Sequence, residues 1–300
     1  MKLNTQIQLV QKRMREQGIA YTLEKMWLNG IRRPVLQRWN YQRFGPRYPQ
    51  SLIFLAGQAK SGSTWFAKMF ASLPGFELRA PMRWKIGDTS QSWKHFDVTN
   101  LDDELWNEFV RQLVVIKAHT WGLKDNTEVL RRKGIRYLIS VRDPRDLLIS
   151  HYYYAKNFPE NWDHPNARDR TLPEYIDFKL EDERWNRESV DWCREWLNNR
   201  DPEMSHLMKY EEALEDAEAV VRKALEFLRF PCSDALVTDI VSRNSFERMS
   251  GRKRGEENAG SFHRKGISGE WREVFSVQQK REFSRQAGDV LEILGYDIGP

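Results

Sequence analysis

Cysteine is nearly absent from this chain, with only Cys193 and Cys232 among 300 residues. Two thiols without metal-ligand spacing can frame neither a disulfide scaffold nor a zinc site, so a reducing cytoplasm is the expected setting. Long apolar runs are missing as well. The cleanest ones, Leu52–Gly57 and residues 113–116, have strand length, and the N-terminal MKLNTQIQLVQKRMREQG contains no unbroken apolar stretch. Neither a membrane span nor a secretion signal is therefore expected. Glycine and proline number 17 and 12, too few for collagen-like or low-complexity architecture, and no internal repeat is visible. Charge of one sign is barely in excess: 48 Lys and Arg against 43 Asp and Glu give +5. That balance fits a small anionic ligand or surface and gives no reason to expect a nucleic-acid partner.

What is present is the composition of a globular protein, 40% hydrophobic and 30% charged, long enough to bury a large core. The charge is unevenly placed. Residues 1–50 carry ten Lys and Arg against two Glu, a net +8 that leaves the other 250 residues at −3. In this extension Leu3, Ile7, Val10 and Met14 recur at helical spacing beside Lys12, Arg13 and Arg15, and Trp27, Trp39, Tyr41, Phe44 and Tyr48 follow among more arginines. Two readings stay open: a helix packed on the main body with a solvated basic face, or a basic element that approaches an anionic membrane or acidic partner. Pro34, Pro46 and Pro49 then break the chain, which places a boundary near residue 50.

From Ser51 onward short apolar runs alternate with helical stretches. Strands are expected at Leu52–Gly57, 112–117, 135–141 and Ser205–Lys209. Helices are expected at 64–72, Pro144–Asn157, 183–199, 217–230, Asp234–Arg243 and 277–294. Buried β-branched runs between helices predict an α/β fold with a central, mostly parallel sheet flanked by helices. The length allows one domain or two, and a single domain is expected because the candidate phosphate-binding groups, spread from Lys60 to Gly266, must converge on one ligand.

Four segments at strand ends carry chemistry. In SLIFLAGQAKSGSTWFAKMF an apolar strand enters a small-residue loop and then a helix, the layout in which backbone amides and a helix N-terminus cradle phosphate. A Walker A loop reads G-x-x-x-x-G-K-[ST]; here Ser63 occupies the lysine position and the only Lys is Lys60, inside the loop. Lys60 is thereby suited to a shorter phosphate chain and to the charge on a leaving phosphate. In VVIKAHT, Lys117 and His119 lie two residues apart on one strand face, an ammonium and an imidazole able to steady charge and take a proton. In VRDPRDLLIS, Arg142 at the strand tip and Ser150 about two helical turns on can reach one phosphate; equally, Arg142, Asp143, Arg145 and Asp146 can form a local ion-pair cluster. In FHRKGISGEW, Arg264, Lys265 and Gly266 form a natural anion clamp, preceded by a lid-like stretch at 250–260.

Taken together, AKSGSTW, KAH, RDPRDLLISHYY and FHRKGISGEW resemble the cytosolic-type sulfotransferase family, which uses 3′-phosphoadenosine 5′-phosphosulfate (PAPS). The matching segments read PKSGTTW, KTH and RKGxxGDW in that family, and the resemblance spans about three-quarters of the chain. It implies in-line sulfonate transfer to a hydroxyl or amine of a small-molecule, lipid or sugar acceptor, without a metal. It assigns Lys60 to the departing 5′-phosphate, Ser61, Gly62, Ser63 and Thr64 to the phosphate cradle, His119 to the general base and Lys117 to the sulfonate. Arg142, Ser150, Arg264, Lys265 and Gly266 would hold the 3′-phosphate, and Trp65 and Phe246 the adenine, with Tyr210, Asn244 and Ser245 as weaker cofactor-binding candidates. Gln58-Ala59 departs from the family's Tyr-Pro, and Asn244 stands where Thr is common. The segments at 81–99 and 158–170, with Trp84, Trp93, His95, Trp162, His164 and Arg168, match nothing that names an acceptor. A P-loop kinase or nucleotide-triphosphatase and a non-catalytic nucleotide-binding module are the alternatives, and oligomeric state is left open.

Overall fold

The computed structural model of the chain describes residues 33–80, 100–181, 189–261 and 264–299. Five strands form one sheet among these residues: β1 Leu52–Gly57, β2 Glu77–Leu78, β3 Val114–Ala118, β4 Tyr137–Val141 and β5 Ser205–Lys209. The order is β2-β3-β1-β4-β5 and every pairing is parallel. The principal helices are α1 Arg33–Phe44, α2 Ser63–Ala71, α3 Lys124–Arg132, α4 Pro144–Asn157, α5 Leu172–Glu181, α6 Asp191–Asn199, α7 Ala217–Phe227, α8 Asp234–Arg243 and α9 Val277–Ile293. The fold is the α/β class expected from the alternation of apolar runs and helices.

All six residues of β1 are buried, and the pleat sends alternate side chains to two separate cores. Phe54 and Ala56 join α4, α5, α6 and α9 on one face. Ile53 and Leu55 join α2, α7 and α8 on the other. Leu55 lies opposite Lys117 of β3 and Leu138 of β4, so the sheet centre is defined by β1. The chain leaves β1 for the β2 edge, returns through β3 and then crosses β1 to reach β4. The carboxyl end of β1 is therefore the point where the strand order reverses, the place at which open α/β sheets bind ligands.

Element boundaries differ from the sequence expectation for local reasons. Strand β3 starts two residues late because Arg111 adopts a left-handed φ of 59° and Gln112 N–H turns back to Phe109. Strand β4 starts late because Gly134, at φ 64°, and Ile135 close the end of α3 on the carbonyls of Arg131 and Leu130. Helix α7 stops at Phe227, just ahead of Arg229 at φ 60°. Pro34 does not break the chain: it sits in the first turn of α1, where a proline is tolerated. Helix α1 lies against the α2 side of the sheet through Tyr41 and Phe44. The Leu3–Met14 periodicity falls outside the described residues, as does the first part of the helix expected over 183–199.

The end of β3 is pinned from below by α6. Trp192 Nε1 donates to the carbonyls of His119 and Thr120 at 3.2 and 3.1 Å, Trp196 Nε1 donates to Thr120 at 3.0 Å, and Asn199 Nδ2 donates to Gly122 at 2.9 Å. A Cβ on residue 122 would lie 2.5 Å from the backbone N and Cα of Trp196. Gly122→Ala is expected to destabilise the protein by about 1–3 kcal/mol through overpacking, read as a lowered urea midpoint at unchanged slope.

Candidate active site

The loop between β1 and α2 is shaped by two glycines. A side chain on residue 57 would put its Cβ 2.2 Å from that of Ser63, so only glycine lets α2 begin directly over the end of β1. Gly62 is left-handed at φ 77°, and a Cβ there would meet the Tyr210 ring at 2.5 Å. Gly62 caps α2 without a side-chain hydrogen bond, so backbone N–H groups of its first turn face the loop. Ser61, fully buried, ties the loop down: its hydroxyl donates to the Gln58 carbonyl at 2.7 Å and lies 3.0 Å from the Ser140 hydroxyl. Gln58 Nε2 donates to the Ser189 carbonyl at 2.6 Å, a further tie on the loop. Lys60 is held at φ 69°, a left-handed conformation that costs a non-glycine residue about 1–3 kcal/mol.

Beside this loop lies a cavity of about 450 Å³, walled by residues from every strand end of the sheet. It gathers Lys60, Gly62, Ser63, Thr64 and Trp65 with Lys117, His119, Arg142 and Ser150. Tyr210, Phe246, Arg264, Lys265 and Gly266 complete that part of the wall. Three expected residues stay outside it. Ser61 works from beneath the loop. Asn244 is committed to structure, its side-chain amide donating to Ser72 Oγ at 2.9 Å and Ile240 O at 2.8 Å while its main-chain carbonyl accepts from Trp65 Nε1 at 2.7 Å. Ser245 caps the short helix Phe246–Ser250 by accepting from Arg248 N–H.

The cations crowd one another. Lys117 Nζ donates to Thr64 Oγ1 at 3.1 Å. Lys60 Nζ sits 4.3 Å from the Tyr154 ring centre, and burial, reinforced by Arg142, Lys117 and Arg264, pushes its pKa down to about 7. A nearby anion would raise it again. His119 receives the same treatment with a different result. Burial and then Lys117 push the imidazole down to about 3, so it is neutral at physiological pH. Its Nδ1 contacts the Gly57 carbonyl, which has only lone pairs to offer; Nδ1 therefore carries the proton and Nε2 the lone pair that a base needs.

Arg142 spans the site. Its Nη1 donates to Lys60 O at 3.3 Å, its Nη2 to Ile267 O at 3.2 Å, and its guanidinium lies 4.5 Å from the Tyr210 ring centre. Its buried Nε has no hydrogen-bond partner among the described residues. The neighbouring charges resolve differently from the local cluster that sequence allowed. Asp143 takes a bidentate pair from Arg145 at 2.9 and 2.7 Å, and Arg145 stacks 3.4 Å over Trp271. Asp146 accepts from the backbone of Gly269 and, at 3.0 Å, of Trp271. The start of α4 thus anchors the 264–271 loop. Within that loop Arg264 and Lys265 share two carboxylates: Glu257 lies 2.7 and 3.1 Å from them, and Glu270 accepts from both. Gly266 is left-handed at φ 66°, and a Cβ there would strike the Phe246 ring at 2.7 Å.

Several wall residues were not singled out by sequence: Leu78, Tyr154, His151, Asn161 and Arg254. Tyr154 follows Ser150 by four residues on α4, so shared helix face was the available signal. His151 Nε2 lies 3.1 Å from the fully buried Asp163, which also binds Tyr175 and, at 2.9 Å, the buried Lys179. Of the acceptor-side residues, Trp162 lines the cavity. His164 instead bonds the Ala155 carbonyl at 2.8 Å, and Arg168 makes an exposed pair with Asp169. Trp84, Trp93 and His95 lie outside the described residues.

Comparison with known proteins places these features in context. The sulfotransferase domain family matches residues 50–294. Mouse sulfotransferase 2B1 is 28% identical over 152 residues, covering 47% of this chain and 44% of the relative. The guinea-pig 3-beta-hydroxysteroid sulfotransferase is 24% identical over 159 residues, covering 50% and 54%. The chain spans about half the length of the curated relatives it matches. In fold it is similar to mouse sulfotransferase SULT7A1 complexed with PAP, with a TM-score of 0.60 and 20% identity over 81% of this chain and 85% of that one. Retinol dehydratase in a complex with retinol and PAP aligns at a TM-score of 0.55 with 16% identity, covering 84% and 86%.

Asp146→Asn leaves a single amide oxygen where two carboxylate oxygens now serve two backbone N–H groups. The variant is expected to lose about 1–3 kcal/mol of stability, measured by denaturant unfolding.

Proposed function

Since the chain belongs to the sulfotransferase family, which matches it from residue 50 to 294, we propose that it transfers the sulfonate group of PAPS to an acceptor hydroxyl, with an amine as the lesser alternative. The observation that carries this reading is the convergence of Lys60, Lys117 and a neutral His119 at one end of a phosphate-binding loop. The residues fit a phosphoadenosine donor. Backbone amides of the α2 first turn and Lys60 suit its 5′-phosphate, and the orphaned Arg142 Nε, with Ser150, Arg264, Lys265 and Gly266, suits a 3′-phosphate. Trp65 and Phe246 offer rings to the base. The names of two similar structures include PAP, the desulfonated product of such a donor.

In the proposed reaction the acceptor oxygen forms a bond to sulfur while the bond between sulfur and the 5′-phosphate oxygen breaks. The acceptor proton passes to His119 Nε2, and the electron pair of the broken bond stays on the phosphate, where Lys60 and the loop amides meet it. Lys117 steadies the sulfonate in flight. Ser63, standing where a Walker loop has lysine, leaves a kinase reading without the group that grips a β/γ-phosphate. The acceptor is a small molecule, a lipid or a sugar. Relatives named for a hydroxysteroid and for amines bracket the chemistry, and Leu78, Tyr154 and Trp162 give the cavity an apolar, aromatic side. We take residues 51–300 as the catalytic domain of a cytoplasmic enzyme and residues 1–50 as its basic extension. Among the described residues no helix is long and apolar enough to cross a membrane.

Incubation with sulfur-labelled PAPS and a native metabolite and lipid extract is expected to label at least one acceptor. Phosphate transfer from ATP in its place overturns the reading. His119→Ala is expected to lower turnover by about 10²–10⁴-fold; unchanged turnover removes His119 from the role of base. PAP binding is expected to take up a proton above about pH 7, because a bound anion raises the pKa of Lys60 from its displaced value. Affinity therefore falls as pH rises past that point. Calorimetric titration in buffers of different ionisation enthalpy reads the uptake, and Lys60→Ala abolishes it.

A further inference from the structure

Helix α1 packs on the body through Tyr41 and Phe44 yet leaves aliphatic and indole side chains in solvent. It buries Gln37, whose amide donates to Glu77 Oε2 at 2.5 Å, while Val35, Leu36 and Trp39 are 63%, 47% and 50% exposed. Arg38, Arg43 and, just past the helix, Arg47 are exposed as well, and Arg43 lies 5.1 Å from the Trp39 ring centre. At about 100° per residue, positions 35, 36, 38, 39, 42 and 43 fall within an arc of roughly 160°. Gln37, Tyr41 and Phe44 occupy the opposite side. Residues 33–50 contain neither Asp nor Glu, so no acid within this segment offsets its arginines.

This face has two unmet demands. Its aliphatic and indole side chains gain by leaving water, and its guanidinium groups gain beside anions. An anionic bilayer surface meets both at matching depth: acyl boundary for Val35 and Leu36, interface for Trp39, headgroup phosphates for the arginines. A nucleic acid would engage the arginines and leave the aliphatic pair in water. Residues 1–32 carry six Lys and Arg against two Glu, the same sign as α1.

We propose that α1 is a docking surface for an anionic lipid bilayer, entered by Val35, Leu36 and Trp39 and held by Arg38, Arg43 and Arg47. Glu77 fixes the helix to the body through Arg33 and Gln37, and the next residue, Leu78, lines the cavity. The docked element is thereby tied to a strand that forms the cavity wall. Bilayer docking stands independently of the sulfonation reading.

The test is cosedimentation of the full chain with vesicles of phosphatidylcholine alone and of an equal mixture with phosphatidylglycerol. Binding is expected to the mixed vesicles only, and to weaken at high salt. Leu36→Ser with Trp39→Ser is expected to lower the partition coefficient at least tenfold, and each of Arg38→Ser and Arg43→Ser by about fivefold. All four positions are exposed, and an unchanged melting temperature verifies that the variants fold. Equal binding by wild type and the Leu36/Trp39 variant overturns the proposal, as does binding to neither vesicle. Displacement of the protein from mixed vesicles by duplex DNA at equal phosphate concentration assigns the face to nucleic acid and overturns it too. A PAP-dependent rise in melting temperature, followed in parallel, reports on the nucleotide site alone.

Discussion

The closeness of Ser63 to Gly57 governs the rest of the site. With no side chain at residue 57, the first turn of α2 sits directly on the end of β1, and the intervening five residues have little freedom. The strand beneath cannot yield, because Phe54 and Leu55 are fully buried in opposite cores and each contributes about 1.5–3 kcal/mol of burial. Against that anchorage the left-handed backbone of Lys60 is affordable, and Ser61, Gln58 and Ser140 hold it there. The loop delivers Lys60 toward Lys117 and Arg142 although like charges repel. Burial first, and then the neighbouring cations Arg142, Lys117 and Arg264, lower the Lys60 ammonium to about 7, so the folded protein disfavours its charged form until an anion comes near.

Burial acts on His119 and Lys60 in the same direction and equips them for opposite tasks. For the imidazole, loss of solvation removes the cationic state throughout the physiological range, and the Gly57 carbonyl decides which nitrogen keeps the proton. For the ammonium, it produces a group balanced near neutrality, ready to regain full charge. The main-chain carbonyl that orients His119 belongs to the glycine that lets α2 close on β1. The orientation of the imidazole and the approach of α2 to β1 are thus set by one residue, while the β3 end carrying His119 is fixed by the indoles of Trp192 and Trp196.

Much of this was legible in sequence where the signal is local. Leu52–Gly57, Ser205–Lys209, Pro144–Asn157 and Asp234–Arg243 fall where the sequence pattern puts them; the fully buried Leu52–Gly57 and the Asp143-capped Pro144–Asn157 show why, since each writes its signal into neighbouring residues. Helix α3 was missed because it buries only Asn126, Val129 and Leu130, too few for a period. Lys60, Lys117, His119 and Arg142 were singled out by strand-end position, whereas Trp65, Tyr210 and Phe246 came only from the family resemblance. What sequence did not resolve is where polar groups spend their hydrogen bonds across long separations. Asn244 looks like a ligand-binding amide, yet Ser72 and Ile240 engage it. Arg142 and Arg145 look alike three residues apart, yet one enters the cavity and the other is absorbed by Asp143 and Trp271.

Two kinds of cation meet in the cavity, and they are prepared differently. Lys60 and Arg142 face other cations, and Arg142 has a buried donor unsatisfied within the described residues. Arg264 and Lys265 are already balanced by Glu257 and Glu270. A phosphate reaching the first pair relieves repulsion outright. At the second pair it exchanges with carboxylates, so the net gain is the difference between two similar charge-assisted contacts. Attraction by the strand-end cations and alignment by the carboxylate-balanced loop are then separable contributions. Asp146 joins them structurally, since it starts α4 just beyond Arg142 and holds the backbone of Gly269 and Trp271. That division suits a ligand bearing two separated phosphates: one end would meet cations that face other cations, and the other a loop whose own charges are nearly balanced.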